Sequence, residues 1–299
     1  LTNSTSGGLS WSSSDISVAT VGSTSGVVTG IAAGIATITY TLNTGCYTTS
    51  DVTINAIPAA IGGGSSVCVG STLTLTDATA GGTWASSNAT LASIGSATGV
   101  VSGLSSGTVT ITYAMGTGCK VTTVFTVNPN AVITGTPSVC VGTTATLSDA
   151  TAGGTWSSSD ASTATVGSSN GVVTGVLAGN ATITYTTGAG CTRTVTATVN
   201  NTPGTITGTL SVCAGSTTTL GNPVAGGAWT SSSVLIATVG TSGIVTGVSS
   251  GNATITYTIG SCKATAAVTV NALPATISGT TTVCVGSATT LSDGTAGGT

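Results

Sequence analysis

The stretch "TWSSSDASTATVGSSNGVVTGVLAGNATITY", residues 155–185, decides the fold. Near its end Ala181, Ile183 and Tyr185 alternate with Thr182 and Thr184, the two-residue period of a strand with one buried face. Two short β-branched runs, Ala164–Val166 and Val172–Thr174, flank "GSSNG", where Gly171 supplies the positive φ of a tight turn. Working outward, Ala131–Gly135 and Ser138–Val141 read as a broken first strand and Thr143–Ser148 as the second. Gly154–Ser158 carries Trp156, and Thr192–Asn200 closes the set with Val195, Ala197 and Val199 on one side. Seven short strands punctuated by turns predict a small all-β sandwich.

The same pattern recurs along the chain. Trp falls at 11, 84, 156 and 229, and Tyr at 40, 113, 185 and 257. An early cysteine recurs at 68, 140, 213 and 284, and a late one at 46, 119, 191 and 262. The words "VCVG" or "VCAG", "GVVTG" or its variants, and "TITY" return in step, so the period is about 72 residues. Asn/Pro joints, "NAIP" (55–58), "NPNA" (128–131), "NNTPG" (200–204) and "NALP" (271–274), follow a strand directly. The expected repeats are therefore 1–57 (partial), 58–129, 130–201, 202–272 and 273–299 (partial), a tandem array whose ends fall inside a folding unit, as expected of a portion of something longer.

Composition narrows function. Of 299 residues only 3% are charged, there is no His, all six acids are Asp, and 45 residues are Gly. Helix formers are scarce and β-branched residues abundant, which argues for strands throughout. A net charge of −3 offers no field to steer nucleic acid or anionic lipid. Mean hydropathy is +0.53, yet no run approaches the ~18 apolar residues of a membrane helix. Eight cysteines without metal-ligand spacing point to disulfides in an oxidising compartment rather than to zinc. With no His or Glu, and Lys120, Arg193 and Lys263 one per repeat, the acid–base groups of catalysis are missing, so no catalytic residue, metal ligand or cofactor is expected. Asp160 reads as a turn cap, and Asp149 with Asp160 is too few carboxylates for calcium. Trp11, Trp84, Trp156 and Trp229, with Tyr40, Tyr113, Tyr185 and Tyr257, are expected in the cores, where a sandwich this small needs large apolar groups.

The run at 155–185 resembles the bacterial immunoglobulin-like group 2 family in its Trp-Ser-Ser, Ala-Thr-Val, Gly-Val-Val-Thr-Gly and Ala-Thr-Ile-Thr words, and every repeat shares them. The resemblance implies immunoglobulin-like sandwiches of the kind found as tandem stalks in intimin- and invasin-like adhesins. The cysteine-bearing form is similar to repeats in very large Bacteroidota surface proteins secreted by the type IX route, which implies an extracellular, cell-surface fibre.

Three disulfide patterns respect the repeat. One closes each unit (Cys68–Cys119, Cys140–Cys191, Cys213–Cys262), and one joins sequence neighbours such as Cys119–Cys140. The third joins an early cysteine to the late cysteine of the next unit (Cys68–Cys191, Cys140–Cys262). Cys140 precedes the first turn, and Cys191 follows the final hairpin at the opposite end of a nine-residue strand. That strand spans ~30 Å, against a Cα limit of ~7 Å for a disulfide. Geometry leans towards the third pattern, while within-unit pairing stays open if the first strand is displaced. Cys46 and Cys284 belong to the same cysteine series. A filament or adhesin stalk that provides reach and stiffness is the expected role. The alternative is a carbohydrate- or surface-binding module using Thr-rich faces. Expected partners are neighbouring repeats of the same chain and identical chains alongside, with no nucleic acid and no membrane insertion in this segment.

Overall fold

A glycine with positive φ, Gly63, Gly135 or Gly208, marks where the first strand of these sandwiches passes from one sheet to the other. In the computed structural model, which describes residues 8–151 and 153–295, Ile133–Thr134 pairs antiparallel with Ser148–Asp149. Gly135 then takes φ +114°, and Pro137, having no N–H, cannot continue that ladder. The chain crosses over, and Ser138–Cys140 runs parallel to the last strand, with Val139 opposite Val199 and Cys140 opposite Asn200. The larger sheet has the order Ser138–Cys140, Thr192–Asn200, Gly179–Thr186, Thr155–Ser158, and the smaller one Thr144–Thr146, Val172–Gly175, Ala164–Val166. This is a small immunoglobulin-like sandwich without helix, and the expected strands lie where the alternation put them. One differs: Thr143–Ser148 is interrupted at buried Leu147, whose N–H bonds Gly171 O at 2.9 Å instead of continuing a ladder.

The chain divides into two units, residues 1–130 and 131–299. The second also contains a sandwich built on Cys262–Asn271, with Ser211–Cys213 parallel to Thr269–Asn271. Beyond it, the strands Ser278–Gly279 and Leu291–Ser292 pair with each other, and their surroundings are exposed. The first unit holds an equivalent sandwich with Ser66–Cys68 parallel to Thr126–Asn128. It also holds the sheet Gly8–Ser13, Gly34–Leu42, Tyr47–Ile54, in which Tyr47–Ile54 lies at the edge. The outermost parts of the expected repeats 1–57 and 273–299, residues 1–7 and 296–299, lie outside the described residues.

Each core is organised by one cross-strand pair. Trp156 stands opposite Tyr185, and their ring centroids are 4.6 Å apart. Trp11–Tyr40, Trp84–Tyr113 and Trp229–Tyr257 repeat that distance. Tyr185 and Trp156 are 5% and 7% exposed, so the rings pack against Ile183, Leu147 and Val173 and present little face to solvent. The phenol is also tied down: Tyr185 O–H donates to Thr151 O and accepts from Gly154 N at 3.0 Å. Tyr113 and Tyr257 hold Thr79 with Gly82, and Val224 with Gly227, in the same way. A Cβ on Gly154 would lie 2.4 Å from Tyr185 Cζ, so the loop can close over the phenol only at glycine.

Trp156→Ala should therefore cost about 3–5 kcal/mol through lost burial and cavity formation. Tyr185→Phe should cost about 1–3 kcal/mol by stranding a carbonyl and an amide. Urea unfolding followed by fluorescence of the remaining tryptophans checks both, and Tyr185→Phe should leave the folded far-ultraviolet spectrum unchanged.

Candidate functional site

The parallel pairing places Cys68, Cys140 and Cys213 each at the exit of a sandwich, opposite Asn128, Asn200 and Asn271. Because Cys140 is opposite Asn200 and Cys191 immediately precedes the strand Thr192–Asn200, the two lie at opposite ends of that strand, ~30 Å apart. Within-unit Cys140–Cys191 is not formed. Cys140 is instead joined to Cys262, with Cα atoms 5.7 Å apart. Cys213–Cys262 is excluded because Cys262 is occupied, and Cys68–Cys119 because Cys119 is a free thiol. Neighbour pairing Cys119–Cys140 fails on both counts. Cys68 and Cys191 are also in the disulfide state, whereas Cys46, Cys119, Cys213 and Cys284 are thiols.

Around the Cys140–Cys262 bridge the joint is polar and close-fitting. Asn200 O accepts from Val141 N at 3.0 Å and lies 4.0 Å from Cys262 Sγ. Asn200 Nδ2 donates to Ser138 Oγ at 3.0 Å, and Ser138 Oγ is 3.1 Å from Ser261 Oγ. A Cβ on Gly260 (φ +56°) would fall 2.3 Å from Asn200 Oδ1, so the hairpin carrying Cys262 can approach only as glycine. Asn200, Ser138, Ser261 and Gly260 escape the cysteine-centred sequence reading. The recurring Asn at 55, 128, 200 and 271, each opening a joint, was their available signal.

Two other features bear on function. Asp15 Oδ1 accepts from Ser17 N, Asn88 Oδ1 from Thr90 N and Asp160 Oδ1 from Ser162 N, at 2.9, 3.0 and 2.9 Å. Asp and Asn serve alike, so the position works by accepting hydrogen bonds and not by charge. Clefts of about 270 and 310 Å³ sit beside Trp156 and Trp229. Trp156 is buried and tilted against Tyr185, so it offers little ring face for a sugar to stack on, while Trp229 is half-buried against Tyr257. Asp77 Oδ2 and Asp149 Oδ2 are buried without a protein partner. Among the described residues no three His, Cys, Asp or Glu side chains gather as a metal site requires, and no helix is long and apolar enough to cross a membrane.

No family description and no curated protein matches the chain. Solved structures do. The surface-layer protein SbsC, domains 1–6, is 18% identical over 91% of this chain and 52% of its own, with a TM-score of 0.25. Invasin, a bacterial integrin-binding protein, is 16% identical over 88% and 72%, with a TM-score of 0.33. A C-terminal fragment of intimin, solved with the intimin-binding domain of its translocated receptor, is 15% identical over 56% and 60%, with a TM-score of 0.33. The chain spans about half the length of the surface-layer protein. At this identity the likeness concerns the fold alone.

The Asp turns carry a pH prediction. Side-chain hydrogen bonds from Ser162 and Thr163 hold the Asp160 carboxyl below its usual 3.8, and Ser17 does the same for Asp15. A depressed carboxylate binds fewer protons folded than unfolded. Its stabilisation is thus complete above the unfolded value and lost as pH falls through the lower folded one. Thermal melts should be level from about pH 5 to 7 and fall below about pH 4. Asp160→Asn should melt as wild type at pH 7 and lose less on acidification.

Proposed function

We propose that this chain is a structural repeat region of a long extracellular filament or adhesin stalk on the bacterial cell surface, and not an enzyme. In this reading the repeats are 1–57, 58–129, 130–201, 202–272 and 273–299, of the group 2 immunoglobulin-like type in its cysteine-bearing Bacteroidota form. Each disulfide ties the exit of one repeat to the final hairpin of the next, with Cys68–Cys191 following the register of Cys140–Cys262.

The observation that carries this reading is the Cys140–Cys262 bridge at the Asn200 joint. A bond there resists both bending and extension, which a string of independently folding beads needs if it is to act as a rod. A within-domain staple would stabilise each bead but leave the joints free. The scarcity of ionisable groups fits a spacer whose surface is not asked to do chemistry.

One feature supports the adhesive alternative. On the outer face of the larger sheet, Thr182 is opposite Thr196 and Thr184 opposite Thr194, a threonine array suited to a carbohydrate or a solid surface. Retention of the chain on polysaccharide or mineral supports, lost when these threonines become lysines, would favour that reading over the spacer.

Two measurements test the stalk. A non-reducing peptide map should recover Cys140 with Cys262 and Cys68 with Cys191; Cys140 recovered with Cys191 would defeat the proposal. Pulled by its ends in a Cys68→Ser/Cys191→Ser background, the chain should gain roughly 40 nm of contour length on reduction. That is the length of the 122-residue separation at ~3.5 Å per residue. No gain would mean that the bridge does not span the joint under load.

A further inference from the structure

The two halves of the Cys140–Cys262 bridge stand in different surroundings. Cys262 is 2% exposed and pairs with Ile259 across a hairpin turn of two residues, Gly260 and Ser261. Asn200 O lies 4.0 Å from its Sγ, and the turn sits so close to Asn200 that Gly260 admits no Cβ. Cys140, by contrast, ends the edge strand Ser138–Cys140 and is half-buried. Its neighbour Val139 takes the core side, and Gly142 and Thr143, which follow in the turn, are exposed.

Thiol–disulfide exchange requires a thiolate to reach one sulfur from the side opposite the sulfur that leaves, so access decides which of the two is attacked. Burial of Cys262 closes that approach on its side. The joint also has contacts that do not depend on the sulfurs. Ser138 Oγ is 3.1 Å from Ser261 Oγ on the hairpin, and accepts from Asn200 Nδ2 at 3.0 Å. Thr202 Oγ1 donates to Val141 O at 2.7 Å. These bonds keep the Ser138–Cys140 strand beside the Cys262 hairpin when the S–S bond is broken.

From this asymmetry we infer that Cys140 is a modification site for low-molecular-weight thiols, and that the joint is a latch which opens at Cys140 and recloses from Cys262. The entering thiolate bonds to Cys140 Sγ as the Cys140–Cys262 bond breaks, and Cys262 leaves as a thiolate that takes up a proton. Reclosure is the reverse: Cys262 thiolate attacks Cys140 Sγ, re-forms the bridge and expels the small thiol. Because the polar contacts hold the two elements together, that attack is intramolecular and outpaces a second molecule of thiol. When a second thiolate does attack the sulfur of the bound small thiol, Cys140 is released as a thiol, and one small-molecule disulfide accompanies two protein thiols. A rod built on such joints can lose a bridge and regain it in the same register. The inference deepens the stalk reading and rests on the bridge that carries it.

The full chain in a Cys46→Ser/Cys119→Ser/Cys213→Ser/Cys284→Ser background tests it. The protein is treated briefly with reduced glutathione, quenched in acid and alkylated with N-ethylmaleimide in urea. Peptide masses should place glutathione on Cys140 and maleimide on Cys262, with a preference of at least about tenfold over the reverse. When urea is added before the glutathione, so that burial is lost, the preference should shrink to within about twofold. Gly260→Ala, whose Cβ would lie 2.3 Å from Asn200 Oδ1, displaces the hairpin. It should raise the trapped fraction of glutathione-bearing Cys140 at least about fivefold by slowing reclosure. Glutathione on Cys262, an even split in the folded chain, a preference that persists in urea, or a trapped fraction unmoved by Gly260→Ala would overturn the latch. An untreated sample mapped alongside separates these failures from failure of the stalk, since only the latter loses the Cys140–Cys262 peptide before any thiol is added.

Discussion

Everything at the joints depends on the parallel pairing of a three-residue strand with the end of the last strand. After Gly135, at φ +114°, the chain leaves the smaller sheet, and Ser138–Cys140 aligns on Thr198–Asn200. Alternation then gives the two sides of that strand different work. Val139 is buried in the core while Cys140 points away from it, at the end of the sandwich where the following residues begin. Had the register slipped by one residue, the thiol would have entered the core and the valine faced solvent.

That register also accounts for the polar character of the joint. Asn200 serves both partners at once, accepting from Val141 through its carbonyl and reaching Ser138 with its amide. Ser261 and Gly260 arrive on the hairpin that carries Cys262. A disulfide alone would leave a hinge. Hydrogen bonds that require the same approach restrict the orientation as well as the separation of the linked elements.

The interior obeys a different economy. A sandwich of about 70 residues built from Val, Ile, Ala and Thr has little apolar volume to bury, and one Trp–Tyr pair supplies much of it. Repetition of the 4.6 Å ring separation in four places shows how little the solution varies. The tyrosine hydroxyl adds a second duty by holding the loop before the tryptophan strand, so packing and loop closure are fixed by one side chain.

Strand placement, the repeat and the core faces were legible in the residues themselves, because alternation in Asn180–Thr186 and Thr192–Asn200 is a local property of neighbouring side chains. The Trp and Tyr landmarks were legible for a related reason, since few other residues here are large enough to fill a core. Within-unit cysteine pairing could be doubted from strand length but not dismissed, since the direction and register of Ser138–Cys140 depend on contacts sixty residues away. Only the folded chain decided that this strand runs parallel and that Asn200 and Gly260 share the joint with the cysteines. These are matters of which surfaces meet in three dimensions, and a linear pattern of side-chain types carries no record of them.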